Sequence, residues 1–279
     1  MRRIPTLALL LVLLANATAQ TPGGVSGNLQ LWLRAEGYTG GGSWTDASGN
    51  ARHATKAGTV PNTTLYNFQY VPTNLTASNY FSVAHSTSLN ANNGAIAVFA
   101  VGLPGSGTYA PFASKTINQF WDAGWVLASS SPMTDIGFTT ENWTGAGSTN
   151  VAKQSGASSS IPYIASGFGD GAVTNTVSVC SNGTTPGTNT SAKSTTTLPL
   201  YVGYDGDAYG FDGGSIAEVI MYNSDLSAAN RQRVWSYLAV KYGITLNNGG
   251  TNYLSSASTT VAGVELALSR IILAPASMA

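Results

Sequence analysis

Residues 211–246 read FDGGSIAEVIMYNSDLSAANRQRVWSYLAVKYGITL. Within this stretch Ser215–Tyr222 is an unbroken run of apolar and β-branched residues, which predicts a strand. Alternation places Ala217, Val219 and Met221 on one face and Ile216, Glu218, Ile220 and Tyr222 on the other. Both faces are largely apolar, so the strand is expected inside a sheet that is covered on both sides. Asn223–Asp225 turn the chain. Ser227 then stands where a hydroxyl can accept from the free amides of a first helical turn. Val234, Tyr237, Leu238 and Lys241 recur at helical spacing, with the Lys241 stem able to pack. Gly243 supplies a left-handed stop. One helix is therefore expected to dock on the outer face of the strand before it.

Upstream of this stretch the chain reads as short strands between turns. Leu29, Leu31 and Leu33 alternate with Gln30, Trp32 and Arg34, the pattern of a strand with one face inward. Ala95–Leu103 (AIAVFAVGL) is a continuous apolar run, hence a strand buried on both faces. Gly124–Leu127, Asp135–Phe138, Ile161–Phe168, Val173–Cys180 and Leu198–Tyr204 read as further strands. Residues 58–79 read as loop with a short strand, and Ser181–Thr197 as a low-complexity exposed loop. This succession favours an antiparallel sandwich over alternating βα units. With 32 Gly and 9% charged residues, the composition argues against a helical architecture.

Two stretches carry a family resemblance. The 211–246 segment resembles the C-terminal end of laminin-G-like modules in bacterial secreted and surface proteins, within the concanavalin A-like lectin/glucanase superfamily. LQLWLRAEGYTGGGSWTDASGNARHAT resembles the other end of the same module. Its turn matches a W-x-D-x-S-G-N pattern at Trp44, Asp46, Ser48, Gly49 and Asn50, and Asn79–Val83 resembles the short strand that follows. The two ends bracket roughly residues 25–246. The resemblance implies an all-β fold, a two-sheet antiparallel jelly-roll sandwich with one C-terminal α-helix docked on it. It leaves function open, since the superfamily holds lectins, hydrolases, lyases and inert adhesive modules.

Met1–Ala19 has the layout of a signal peptide. Arg2 and Arg3 precede an apolar core, and Ala17-Thr18-Ala19 is a small-residue cleavage motif. The apolar run is far shorter than the ~20 residues needed to span a bilayer. The expected organisation is a signal peptide over 1–19, a sandwich domain over 20–246 and a linker-like tail over 247–279. Within that tail, Val264, Leu268 and Ile271–Ile272 have the spacing of a short helix. A secreted or cell-surface location follows from cleavage near Ala19, with no membrane span in the mature chain. Formal net charge is zero, which argues against a nucleic-acid partner. Cys180 is the only cysteine, so an exported chain has no internal disulfide.

Candidate chemistry is sparse. Glycoside hydrolysis needs two carboxylates flanking the scissile bond, and laminarinase-type relatives carry an E-x-D-x-E set on one strand. The four glutamates Glu36, Glu141, Glu218 and Glu265 form no such set. Glu218 reads instead as a partner for a helix arginine such as Arg231 or Arg233. An enzyme would have to use Glu218, or Asp135 with Glu141. His53 and His85 sit in unrelated loops and suggest no triad. Asp205, Asp207 and Asp212 share a glycine-rich loop whose oxygens suit calcium, with Asp46 as a further ligand candidate. The same residues also make ordinary Asp-Gly turns without an ion. For glycan or cell-surface polysaccharide, whose apolar ring faces stack on aromatics, the candidates are Trp121, Trp125, Trp143, Tyr204 and Tyr209. Each competes with a core-filling role. Three functions therefore stand at this level: a non-catalytic binding or adhesion module, a carbohydrate-active hydrolase or lyase, and a passive spacer.

Overall fold

The computed structural model describes residues 21–107, 109–116, 123–130, 135–141, 150–158, 160–246 and 252–262. The expected signal peptide, the helix anticipated beyond residue 263, and Trp121 and Trp143 lie outside the described residues.

Two large antiparallel sheets stack as a sandwich. The first runs in the order β1 (Leu29–Arg34), β16 (Ser215–Tyr222), β7 (Ile96–Leu103), β12 (Tyr163–Gly169), β13 (Thr176–Ser181) and β14 (Gly187–Thr190). The second runs β11 (Ala152–Ser155), β10 (Asp135–Thr139), β9 (Trp125–Ser130), β8 (Tyr109–Lys115), β15 (Leu200–Val202), β6 (Tyr80–Val83), β3 (Ala54–Ala57) and β2 (Ser43–Trp44). A hairpin of β4 (Asn62–Tyr66) and β5 (Gln69–Pro72) fills most of the region read as loop. The low-complexity stretch contributes the edge strand β14. Helix α1 (Ala228–Tyr242) follows β16 directly.

The space between the sheets is filled by one apolar cluster. Tyr38, Trp44 and Phe81 meet edge to face, with Phe81 5.0 Å from Tyr38 and 5.1 Å from Trp44. Phe112 packs on Phe211 at 4.7 Å. Trp125 is wholly buried there, with its indole N–H donating to the Leu89 carbonyl at 2.8 Å. It is a core residue and no ligand platform. Gly167 faces Phe138 so closely that a Cβ would lie 2.2 Å from the ring. The sheets approach there only because that side chain is absent.

The outer face of the first sheet is covered by α1. Ser227 accepts from the Asn230 amide, and Gly243 closes the helix at φ 69°. Val234, Trp235, Leu238, Ala239 and Tyr242 are buried against the sheet, a stripe displaced by one residue from the Tyr237 and Lys241 positions. Trp235 lies 6.3 Å from Phe99 and 6.0 Å from Phe168, and its indole donates to Ser166 Oγ at 2.9 Å. Burying Val234 and Leu238 stabilises by about 1.5–3 kcal/mol each. Beyond the helix, Asn252–Ala262 do not trail away as a linker. They contain the short hairpin of β17 (Tyr253–Leu254) and β18 (Thr260–Ala262). The Tyr253 hydroxyl bonds the Ile244 carbonyl and the Leu246 amide, and Ser236 Oγ accepts from the Leu254 amide.

Two bulges change the expected faces. An irregularity between Ile216 and Glu218 sends Ile216 into the inter-sheet core with Val219 and Met221, while Ala217 joins Ile220 and Tyr222 under the helix. A second, between Leu29 and Leu31, leaves Leu31 and Leu33 between the sheets but places Leu29 on the helix side. Trp32 is likewise buried on the helix side, so β1 has no solvent face of the kind its alternation implied.

Glu218 is fully buried on that side. Its Oε1 accepts from Trp32 Nε1 at 2.6 Å, and its Oε2 from Lys241 Nζ and the Tyr242 hydroxyl, both at 2.7 Å. Its cationic partner is Lys241, not an arginine. Arg231 stacks 3.9 Å over Phe168 and pairs with Asp225, while Arg233 reaches the Gly23 and Gly24 carbonyls. Removing one member of a buried pair leaves an uncompensated charge and costs about 3–5 kcal/mol. Glu218→Gln is expected to lose about 3 kcal/mol in urea unfolding. The cost of pairing it with Lys241→Met should fall well short of the sum of the two single losses.

Candidate aromatic platform on the second sheet

The second sheet turns one face to the core and one outward. Phe81, Val83, Leu200 and Val202 point inward, so alternation leaves Tyr80, Ser82 and Tyr201 outside. After β15 the chain leaves the sheet at Gly203, whose φ of 75° suits only glycine at low cost. Tyr204 is thereby folded back over the outer face. Its ring stacks on Tyr80 at 4.4 Å with 23° between planes. Tyr201 meets both edge-on, at 5.9 Å from Tyr80 and 5.4 Å from Tyr204. All three rings are partly exposed. Tyr80 and Tyr201 were absent from the sequence candidates. Their signal was present, as an aromatic at the outward position of a short alternating strand.

The loop holding Tyr204 is organised by Asp205. Its Oδ1 accepts from the amides of Asp207, Ala208 and Tyr209, each at 3.0 Å. The Tyr204 hydroxyl donates to the Asp207 carbonyl at 2.6 Å, and Tyr209 packs on Tyr109 at 5.4 Å. Asp205 is wholly buried, and its Oδ2 has no hydrogen-bond partner among the described residues. Burial raises its carboxyl above the usual range against the pull of the three amides. Tyr204's hydroxyl is raised by burial first and then by the Asp205 charge.

Among the described residues no three His, Cys, Asp or Glu side chains converge. Asp212 lies against Gly105 and Gly107, where a Cβ on either would collide with it. Asp46 stands in its own turn, its Oδ1 taken by the amides of Trp32 and Ser48 and its Oδ2 by the Arg52 amide and the Ser48 hydroxyl. The donors around Asp46 and around Oδ1 of Asp205 are those of turn chemistry.

Nor do the catalytic candidates pair. Asp135 opens β10 and Glu141 lies beyond its far end, about 20 Å away at the rise of a strand. Glycosidase carboxylates stand about 5–10 Å apart. Glu218 is sealed under the helix. Cys180 is buried on β13, and burial pushes its thiol up to about 12, which removes it as a nucleophile.

A second concavity of about 570 Å³ lies at one end of this sheet, lined by His85, Asn90 and Thr196 among others. Behind it, fully buried Lys115 donates to His85 Nδ1 at 3.1 Å, the Thr196 carbonyl at 3.0 Å and the Leu198 carbonyl at 2.8 Å. No carboxylate compensates it among the described residues. Desolvation lowers its ammonium to about 8 from 10.5.

The family described as "Domain of unknown function (DUF8202)" matches residues 230–262, which span most of α1 and the β17–β18 hairpin. No curated protein matches the chain. Among solved structures, Trypanosoma rangeli sialidase in complex with 2,3-difluoro-KDN is similar at TM-score 0.52 and 15% identity. The match covers 76% of this chain and 33% of that one. The binding domain of botulinum neurotoxin DC in complex with SialylT is similar at TM-score 0.53 and 12% identity, over 78% of this chain and 52% of that one. The chain thus spans about a third of the sialidase and half of the toxin domain. The likeness is one of fold. It is a β-sandwich.

Lys115 yields a pH prediction. Its folded value lies below its unfolded value, so the cost of burying the ammonium is present in full below about 8 and fades toward 10.5. Urea unfolding at pH 7, 8, 9 and 10 should therefore show the parent gaining on Lys115→Met as pH rises. A gap that stays constant across that range would contradict the assignment.

Proposed function

We propose that the protein is a non-catalytic, exported or cell-surface module of the concanavalin A-like, laminin-G-like kind that binds carbohydrate. The observation that carries this reading is the outward trio Tyr80, Tyr201 and Tyr204. Rings fixed by one another and by the sheet lose little freedom when a sugar stacks on them. Backbone and hydroxyl groups of the Tyr204–Gly210 loop border the trio and supply hydrogen bonds of the kind that orient a polyol. One further observation agrees. Similar folds occur in a sialidase in complex with sialic acid and in a toxin binding domain in complex with SialylT.

A glycan array followed by titration calorimetry tests this. At least one glycan class is expected to bind. Tyr204→Ala and Tyr201→Ala should each weaken it about tenfold, equivalent to ~1.4 kcal/mol. Tyr204→Phe keeps the ring and should retain most of the affinity. Folded protein that binds nothing on the array would favour a passive spacer.

A further inference from the structure

The opposite side of the molecule carries a cavity of about 850 Å³ between α1, the end of β1 and the chain around Gly23. This volume is in the range of small-molecule sites. Three cations line it: Arg34, Arg233 and Lys241. Lys241 uses all three of its N–H donors, on Glu36 Oε2 at 2.8 Å, Glu218 Oε2 at 2.7 Å and the Tyr237 hydroxyl at 3.2 Å. Arg233 is engaged by the Gly23 and Gly24 carbonyls and by Asn230 Oδ1. Arg34 differs. Its guanidinium lies 4.8 Å from the centroid of the Trp32 ring, and among the described residues it has no hydrogen-bond or ion-pair partner.

Arg34, Arg233 and Lys241 outnumber the two carboxylates nearby, Glu36 and Glu218, so the cavity carries an excess of positive charge. Glu36 is the one carboxylate in the lining, and Lys241 already holds it. Burial alone would raise the Glu36 carboxyl, but the Lys241 hydrogen bond, its own backbone amide and the charges of Lys241 and Arg34 keep it below its usual value. Glu218 lies beneath, saturated by three donors. The guanidinium carbon lies over the Trp32 ring, and Tyr237 braces Trp32 edge-on at 6.1 Å. A planar fork of five N–H donors on the lining of a cavity matches the two oxygens of a carboxylate. The rest of the rim offers the hydroxyls of Thr21, Ser26 and Ser256 and the apolar side of Val240. That combination suits a ring that carries hydroxyl groups as well as the acid.

We infer that this cavity is a second binding site, for a carboxylated sugar, with Arg34 as the residue that receives the carboxylate. It lies on the helix side of the first sheet, away from the tyrosine trio, and does not depend on that platform.

Calorimetric titration of the purified protein tests it with trigalacturonate, neutral galactotriose and sodium sulfate as separate probes. Trigalacturonate is expected to bind at least tenfold tighter than galactotriose, and more weakly as NaCl rises from about 50 to 500 mM. Arg34→Gln should lose at least tenfold, and Arg34→Lys should recover only part of that, because an ammonium cannot fork. Tyr204→Ala should leave this binding unchanged, so the two sites fail separately. Sulfate binding as tightly as trigalacturonate would overturn the sugar-acid assignment. So would equal binding by an Arg34→Gln variant of unchanged melting temperature. A measurement free of any variant is the Trp32 indole N–H resonance. It should shift on addition of trigalacturonate, and its constancy at saturation would also sink the proposal.

Discussion

The buried carboxylate of Glu218 is the constraint around which one half of the molecule is arranged. A charged oxygen pair withdrawn from water is tolerable only when donors surround it. Here they come from three places in the chain: the β1 indole of Trp32, and the α1 ammonium of Lys241 and hydroxyl of Tyr242. Glu218 shares the helix-facing side of β16 with Ile220 and Tyr222, and the bulge before it turns Ile216 away from that side. Apolar contacts of Val234, Trp235 and Leu238 drive the helix onto the sheet, but such contacts are nondirectional. The Glu218 bonds select one rotation and one register of α1 among the many that would bury similar area.

That choice has a consequence for the rest of the helix. With Lys241 drawn down to Glu218, its remaining donors hold Glu36 and Tyr237. The C-terminal turn of α1 is thereby tied to the residues just past β1. Arg34 then stands beside a network whose negative charges are already matched. The residue left open is the one whose planar fork is most selective for an incoming acid.

Legibility in the sequence followed the physics of each element. Local signals were read correctly where local interactions decide. Ser227 and Gly243 cap α1 as their side-chain chemistry dictates, and Ser215–Tyr222 and the Ile96–Leu103 run are strands because nothing else accommodates such apolar density. Faces were misread where a bulge intervened, since alternation has no means of registering one extra residue. Ile216 changed sides for that reason, and so did Leu29. Glu218 was correctly read as structural but given the wrong cation. Arg231 and Arg233 are nearer in sequence, whereas the choice depends on which turn of the helix overlies the bulge. Trp125 was a ligand candidate because loops and cores both use tryptophan, and only burial separates them.

The two faces of the sandwich reach rigidity by different means. The helix-covered face is fixed by a deep, saturated charge network. Among the described residues no helix covers the open face, and the turn beside it is ordered by a single aspartate collecting three amides. Those bonds hold the Asp205–Tyr209 turn tight, and the Tyr204 hydroxyl bond to the Asp207 carbonyl closes it against the ring. Tyr204 is thus placed on Tyr80 before any ligand arrives. Asp205 is kept buried with one oxygen unsatisfied, a cost that an ordinary surface turn avoids by leaving its carboxylate in water. The exposed rings gain from that cost, because an aromatic surface already ordered by its own loop does not give up that freedom on binding. The loop's unpaired buried oxygen and the platform's order are therefore one arrangement seen from two sides of the same turn.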